Sequence, residues 1–286
     1  IGTNSRGTAS IGNRVGVEIE NGASRNTIGG AFAGAGNLIS GNSAEDVLLS
    51  NSSSLTTVQG NLVGLNASGT APLSINNLGV DVEYSNSNTI GGTTAAARNV
   101  ISGHQVGIYL YGFAGNQGGY NTVQGNYIGT DVTGERRVPN ITGAVVNSRY
   151  DTFGGTSAAD RNVVSGNLTG IQVARDSSAV AGNYIGLSAA GKALGNIGPG
   201  VLLSAAGASL GGAAAGSANV ICGNGAGVVV TAAGAIVQRN YIGTDATGAA
   251  GLGNAGAGVS IQGGSKTRVG GAVPGAGNTI AYNQGD

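Results

Sequence analysis

The chain has 286 residues, of which 57 are glycine, whereas only 9% are charged and 4% are aromatic. Glycine, together with the abundant asparagine, serine and threonine, disfavours long helices and favours short strands that meet at tight corners. Lysine and arginine number 13 and aspartate and glutamate also number 13, so the zero net charge excludes the basic footprint of a nucleic-acid partner. No apolar run approaches the roughly 20 residues that a membrane-spanning helix needs.

No linker or change of composition divides the chain, which predicts a single domain over residues 1–286. The sequence opens and closes inside repeated phrases, so we expect a segment of a longer chain whose ends are capped by missing sequence or by a partner. The single cysteine, Cys222, excludes an intramolecular disulfide, and the single histidine, His104, excludes a Cys/His zinc site. The sequence therefore predicts neither a cofactor nor a metal.

A Gly-Val-x-Ile phrase recurs along the chain with a mean step of about 30 residues. Each copy is followed by two further short β-type runs with Gly or Asn at their corners, such as NTIGG at 88–92 and NVISG at 99–103. Three short strands per repeat, with no segment long enough for a helix, predict a coil of strands. The copies are GVEI (16–19), DVLL (46–49), GVDV (79–82), GIYL (107–110), GAVV (143–146), GIQV (170–173), GVLL (200–203), GVVV (227–230) and GVSI (258–261).

Two kinds of repeat alternate. The repeat that begins at residue 79 has a spacer, TTAAAR, between its second and third runs, whereas the next has none there and carries the loop TDVTGERRVPNIT (130–142) after its third run. A repeat of this size can bury its apolar face only by stacking on its neighbours. We therefore predict an all-β parallel solenoid of about nine turns with two alternating turn types, a rod roughly 40 Å long.

An asparagine opens the third run of every repeat. Stacking would place these residues in one buried column, in which each side-chain amide bonds to backbone and to the asparagines above and below. We predict that this column is a structural ladder made of Asn37, Asn61, Asn99, Asn126, Asn162, Asn183, Asn219, Asn240 and Asn278.

The phrases GVDV, NTIGG, NVISG and NYIGTDATG (240–248) together resemble the Asn/Gly-rich repeats of right-handed parallel β-helix proteins in the pectate-lyase-like superfamily. The resemblance covers essentially the whole chain. It implies a right-handed parallel β-helix and a secreted or cell-surface bacterial protein. The superfamily includes lyases, hydrolases, epimerases, phage tailspikes and non-catalytic adhesive stalks, so the resemblance leaves the function open.

The group of polar side chains that most resembles a binding or catalytic site lies on the outward face of the strands formed by the Gly-Val-x-Ile phrases. Alternation along the strand points Asp81 and Glu83 outward, about 7 Å apart, with Tyr109 and Tyr111 one turn away. Paired carboxyl groups beside aromatic rings are typical of a sugar-binding or sugar-cleaving groove, and equally of a solvated surface. Asp81 and Glu83 are candidate catalytic residues, and Tyr109 and Tyr111 are candidate ligand-binding residues.

A second column follows the asparagine ladder, because the residue after each ladder asparagine is apolar. If this column points outward, Tyr127, Tyr184 and Tyr241 form a strip that repeats at every second turn and could bind a partner or stack on a glycan. The alternative is that the spacers and the TDATG loops fold over the column. Within those loops, we expect Asp131 and Asp245 to bond to their own backbone rather than to bind calcium.

Taken together, these features favour a structural and adhesive stalk segment of a secreted or cell-surface bacterial protein over an enzyme. The partner would be a polysaccharide or another surface protein. The alternative is a carbohydrate-active or polysaccharide-binding β-helix that uses Asp81, Glu83, Tyr109 and Tyr111.

Overall fold

The computed structural model describes residues 1–73, 77–112 and 118–285, and it has three parallel sheets around a narrow apolar core. Each turn contributes one strand to each sheet, and successive strands of a sheet lie about 30 residues apart. Over these residues there is no α-helix, and the only helical segments are two short 3-10 turns at Ala95–Ala97 and Ala158–Asp160. The predicted parallel solenoid is confirmed.

The first sheet is built by the Gly-Val-x-Ile phrases, whose branched side chains suit extended backbone. Its strands pair in parallel and strictly in order along the rod. They are β1 (Val15–Ile19), β4 (Glu45–Leu49), β7 (Leu78–Glu83), β10 (Val106–Tyr111), β13 (Thr142–Asn147), β16 (Thr169–Val173), β19 (Pro199–Leu203), β22 (Ala226–Val230) and β25 (Val259–Ile261).

The second and third sheets have shorter strands and follow the same order. The second sheet contains β2 (Thr27–Gly29), β5 (Thr57–Gln59), β8 (Thr89–Gly91), β11 (Thr122–Gln124), β14 (Thr152–Gly154), β17 (Ala179–Ala181), β20 (Ser209–Gly211), β23 (Ile236–Gln238) and β26 (Arg268–Val269). The third contains β3 (Leu38–Ile39), β6 (Leu62–Val63), β9 (Val100–Ile101), β12 (Tyr127–Ile128), β15 (Val163–Val164), β18 (Tyr184–Ile185), β21 (Val220–Ile221), β24 (Tyr241–Ile242) and β27 (Thr279–Ile280).

Corners between sheets need backbone conformations that favour glycine. At the end of β8, Gly91 has φ 86°, and a Cβ there would collide with the carbonyl of Gln124 and the side chain of Asn126. The alternating turn types are visible at the corners, because β8 and β9 are separated by the spacer that carries the first 3-10 turn, whereas β11 runs almost directly into β12. The inserted residues thus change corner from one turn to the next.

The predicted asparagine ladder is present along the whole solenoid. In each rung, the backbone N–H and the side-chain Nδ2 donate to Oδ1 of the rung in the next turn. Asn61, for example, donates from both groups to Asn99 at 3.0 and 3.1 Å. The same Nδ2 groups also reach backbone carbonyls of the preceding turn, as when Asn126 donates to Ile90 O at 2.9 Å. Each buried amide is therefore satisfied, which stabilises the corner between the second and third sheets.

A second ladder, which the sequence analysis missed, runs along the corner before the first sheet. It is continuous from Asn140 to Asn283, and each rung again donates twice to the next, as Asn140 does to Asn167 at 3.1 and 3.0 Å. Its signal in the sequence is an asparagine three or four residues before the Gly-Val-x-Ile phrase. The rungs of this run are Asn140, Asn167, Asn196, Asn224, Asn254 and Asn283.

This second ladder is interrupted where Asp46 replaces the usual glycine and His104 replaces the usual asparagine. The two side chains are fully buried and meet across 58 residues of sequence, with His104 Nε2 3.0 Å from Asp46 Oδ2. Asp46 Oδ1 also accepts a hydrogen bond from Asn42 Nδ2 at 2.8 Å. Its carboxyl group thus replaces the side-chain oxygen that the next ladder asparagine would otherwise provide. Asn77, at the intervening position, donates to Asn42 O and to no other acceptor in the described part of the chain.

Both ring nitrogens of His104 lie within hydrogen-bonding distance of side-chain oxygens. Its Nδ1 lies 3.1 Å from Asn140 Oδ1, and the Asn140 amide is oriented by donation from Nδ2 to Ile101 O and to the next rung, Asn167. Both ring nitrogens therefore face acceptors, since the other faces the Asp46 carboxylate. The interruption is therefore a buried His–Asp contact in which both ring nitrogens of His104 have a hydrogen-bonding partner.

Candidate functional site

The first sheet brings the predicted acidic and aromatic residues together. Strands β7 and β10 pair with Tyr109 opposite Asp81 and Tyr111 opposite Glu83. The rings of Tyr109 and Tyr111 have centroids 5.6 Å apart, and Tyr84 meets Tyr111 edge-on at 5.2 Å. The negative charge of Glu83 raises the pKa of Glu45, so the two carboxyl groups are close enough to interact. We call this group the acid–tyrosine cluster, and it consists of Glu45, Asp81, Glu83, Tyr84, Tyr109 and Tyr111.

Asp81 is buried, in contrast to the accessibility expected of an outward position. Only 1% of its surface is exposed, and its Oδ1 has no hydrogen-bond partner among the described residues. Its neighbours in the sheet are Leu48 and Tyr109. Burial raises the pKa of Asp81 to about 8, and the nearby carboxylates of Glu83 and Glu45 add to the shift. Asp81 is therefore a neutral carboxylic acid at pH 7.

Glu45 and Tyr84 are members of the cluster that the sequence analysis missed. Burial raises the pKa of Glu45, Arg14 opposes the shift from 3.8 Å away, and Glu83 and Glu18 reinforce it. Glu45 begins its strand and so falls outside the alternating outward positions. Tyr84 follows β7 in a left-handed conformation with φ 49°, which turns the chain at the strand end. The equivalent positions in neighbouring turns carry other residue types, such as Val15 and Leu78 beside Glu45, so the repeat did not indicate these residues.

The cluster combines a neutral acid with a partly exposed carboxyl group, the two functions that glycoside hydrolysis divides between an acid and a base. Asp81 and Glu83 are two residues apart on one strand, about 7 Å by strand rise. This separation leaves room for a water molecule between the carboxyl groups. Burial works against such chemistry, because a glycosidic oxygen could contact Asp81 only if the residues over it moved aside.

The apolar column beside the asparagine ladder is covered by loops. Val100, Val163 and Val220 are buried. Loop residues Leu65 and Val138 pack with Leu62, Val100 and Tyr127, and loop residues Leu187 and Leu252 pack with Tyr184, Val220 and Tyr241. Tyr127, Tyr184 and Tyr241 lie on alternate strands of the third sheet and are each partly exposed.

Arginine side chains cover two of these three tyrosine rings. The guanidinium carbon of Arg98 lies 4.1 Å from the ring centroid of Tyr127, and that of Arg161 lies 4.0 Å from the centroid of Tyr184. The stacking is favourable because a cation is attracted to the negative face of an aromatic ring. It also occupies a face of each ring that a sugar would otherwise stack against.

The aspartates of the TDATG loops bond to their own loops, as expected. Asp131 Oδ1 accepts from Thr133 Oγ1 at 2.7 Å and from the N–H groups of Glu135 and Arg136. Asp245 does the same, and its bond from Thr247, with those from nearby backbone N–H groups, lowers its pKa. Over the described residues, no three His, Cys, Asp or Glu side chains converge as a metal site would require.

Comparison with protein-family models, with curated proteins and with solved structures finds no match to this chain. What the structure itself defines is a parallel β-solenoid held by asparagine ladders. Within the described residues, no helix is both long and apolar enough to cross a membrane.

Proposed function

We propose that this chain is a rigid structural and adhesive stalk segment of a secreted or cell-surface bacterial protein. The observation that carries the proposal is the first asparagine ladder, which joins every turn to the next from Asn37 to Asn278. A ladder of this kind resists bending and slippage between turns, because any shift of register would leave buried amides without partners. Length and stiffness are the properties that a stalk requires.

The bacterial and extracellular parts of the proposal draw on the resemblance of the repeats to Asn/Gly-rich surface proteins. Adhesion draws on two groups of partly exposed side chains, the acid–tyrosine cluster apart from its buried Asp81, and the arginine-capped tyrosines. A polysaccharide or another surface protein would be the partner. Each surface contact would be weak by itself, and a stalk would act through many such contacts at once.

Single-molecule pulling between the two ends tests the mechanical role. We expect the rod to resist extension until turns separate at a defined force, and Asn126→Ala to lower that force. Gln105→Ala, at an exposed residue, is the matched control. A chain that extends without a force peak, or a rupture force that Asn126→Ala leaves unchanged, would contradict the stalk proposal.

A second candidate function is supported by the raised pKa of Asp81 beside Glu83. In this proposal the acid–tyrosine cluster cleaves a polysaccharide, with Asp81 as the proton donor, Glu83 as the base, and Tyr109 and Tyr111 as a platform for the sugar. It requires that the residues covering Asp81 move when substrate binds. Its test is the appearance of new sugar ends from a polysaccharide and their loss in Asp81→Asn.

A further inference from the structure

We infer that the third-sheet side of the solenoid carries an oxyanion-binding groove formed by two arginine–tyrosine pairs. Arg98 with Tyr127, and Arg161 with Tyr184, line one cavity of about 150 Å³ together with Ala158 and Ala189. This inference rests on the adhesive role proposed above and names its ligand, whereas the acid–tyrosine cluster lies on a different sheet, so the test below is separate from the tests of stiffness and of catalysis. The ligand class is a linear acidic polysaccharide that carries carboxylate or sulfate groups.

Both guanidinium groups are held in fixed positions. Arg98 Nε donates to Gly125 O at 3.1 Å, and Arg161 Nε donates to Gly182 O at 3.3 Å. Each guanidinium plane is also stacked on its tyrosine, at 4.1 and 4.0 Å. Because Nε already donates a hydrogen bond and the tyrosine ring covers one face of the guanidinium group, the terminal nitrogens are the donors that remain free. Among the described residues those nitrogens have no hydrogen-bond partner, although they are not buried.

A fixed guanidinium with free terminal nitrogens is suited to carboxylate or sulfate oxygens, because its planar fork can donate two parallel hydrogen bonds to them. Little side-chain entropy remains to be lost on binding, since stacking has already ordered the group. The two pairs lie two turns apart, roughly 10 Å at the usual strand spacing. A linear polymer with regularly repeated anionic groups could therefore engage both arginines at once.

Arg239 provides an internal contrast, because it precedes its ladder asparagine just as Arg98 and Arg161 do. Its Nη1 donates to Ala213 O and Gly275 O, both at 3.1 Å, so part of its fork is used within the protein. Glu135 lies near the groove, where its Oε1 accepts from Ala190 N at 2.8 Å. Its negative charge should weaken anion binding there.

Calorimetric titration with chondroitin sulfate tests the groove, with uncharged dextran as the ligand control. We expect wild type to bind chondroitin sulfate and not dextran. The double variant Arg98→Gln/Arg161→Gln should bind at least about tenfold more weakly, because charge-assisted hydrogen bonds are lost at two sites. Arg25→Gln/Arg268→Gln removes the same charge from exposed positions elsewhere and should change affinity less than about twofold. Polygalacturonate and dextran sulfate separate carboxylate from sulfate recognition.

Arg98 and Arg161 also cover apolar rings, so their variants could lose stability for a structural reason. Measuring the NMR signals of the arginine side chains in the wild-type protein avoids this difficulty, because no residue is replaced. Chondroitin sulfate should shift the signals of Arg98 and Arg161 and leave those of Arg239 largely unchanged. The inference is overturned if no acidic polysaccharide binds, if the charge-matched control loses as much affinity as the groove variant, or if all arginine signals shift alike.

Discussion

Asp81 should make the stability of the solenoid decrease as the pH rises from 6 to 8. Burial raises the pKa of this carboxyl group from 3.8 to about 8, so the native state holds a proton that the unfolded state has released. An acid whose folded pKa is raised stabilises the native state at low pH, and that contribution is lost as the pH approaches the folded value. At high pH the native state becomes less stable because Asp81 then has to ionise in a buried position.

The magnitude follows from the shift. Each pH unit between the unfolded and folded pKa values costs about 1.4 kcal/mol, so the free energy of unfolding should fall by about 2 to 3 kcal/mol between pH 6 and pH 8. Burial also raises the pKa of Asp151, to about 6, so its contribution is largely complete at the start of this window. Glu45, whose pKa is also raised, acts in the same direction.

Urea unfolding at pH 5, 6, 7 and 8 measures the effect. Asp81→Asn cannot ionise, so its stability should lack this pH dependence, and its advantage over wild type should grow by about 2 to 3 kcal/mol between pH 6 and pH 8. Glu20→Gln, at an exposed carboxyl group, should follow wild type throughout. The reasoning is refuted if wild-type stability is constant from pH 6 to pH 8, or if Asp81→Asn shows the same slope as wild type.

Two further predictions concern the ladders. Asn126→Ala removes the acceptor of the Asn99 backbone N–H and of one Nδ2 hydrogen, and it removes the amide that donates to Ile90 O. Urea unfolding should therefore show a loss of about 3 kcal/mol or more, against almost none for Gln105→Ala. Equal midpoints would show that the ladder is not stabilising. His104→Asn should destabilise the protein when Asp46 is present and much less in an Asp46→Gly background. A double-mutant cycle should give a coupling energy of about 1 to 3 kcal/mol, and a value near zero would show that the buried His104–Asp46 contact is not stabilising.

The architecture could be read from the sequence because a solenoid converts sequence period directly into spatial neighbours. Once the Gly-Val-x-Ile phrases were aligned, Asp81 had to lie beside Tyr109, and Asn61 beside Asn99, which is the register that the structure has. Each of these relations joins equivalent positions in adjacent turns. The repeat therefore predicted the three sheets and the first asparagine ladder.

Relations that depart from the repeat could not be predicted in this way. Asp46 and His104 lie two turns apart, and each replaces a different standard residue, so nothing in the period connects them. The second ladder was hidden because its asparagines stand at a variable distance from the next phrase. The burial of Asp81 and the stacking of Arg98 on Tyr127 depend on side-chain volume and direction, which alternation alone does not specify.

The most direct test of the stalk proposal is an assay for new reducing or unsaturated ends, with acidic and neutral polysaccharides, in calcium and in chelator. Wild type and Asp81→Asn are compared after circular dichroism has shown that both are folded. The stalk account predicts no release from any substrate by either protein. Release by wild type that Asp81→Asn abolishes would contradict it and would identify the acid–tyrosine cluster as an active site.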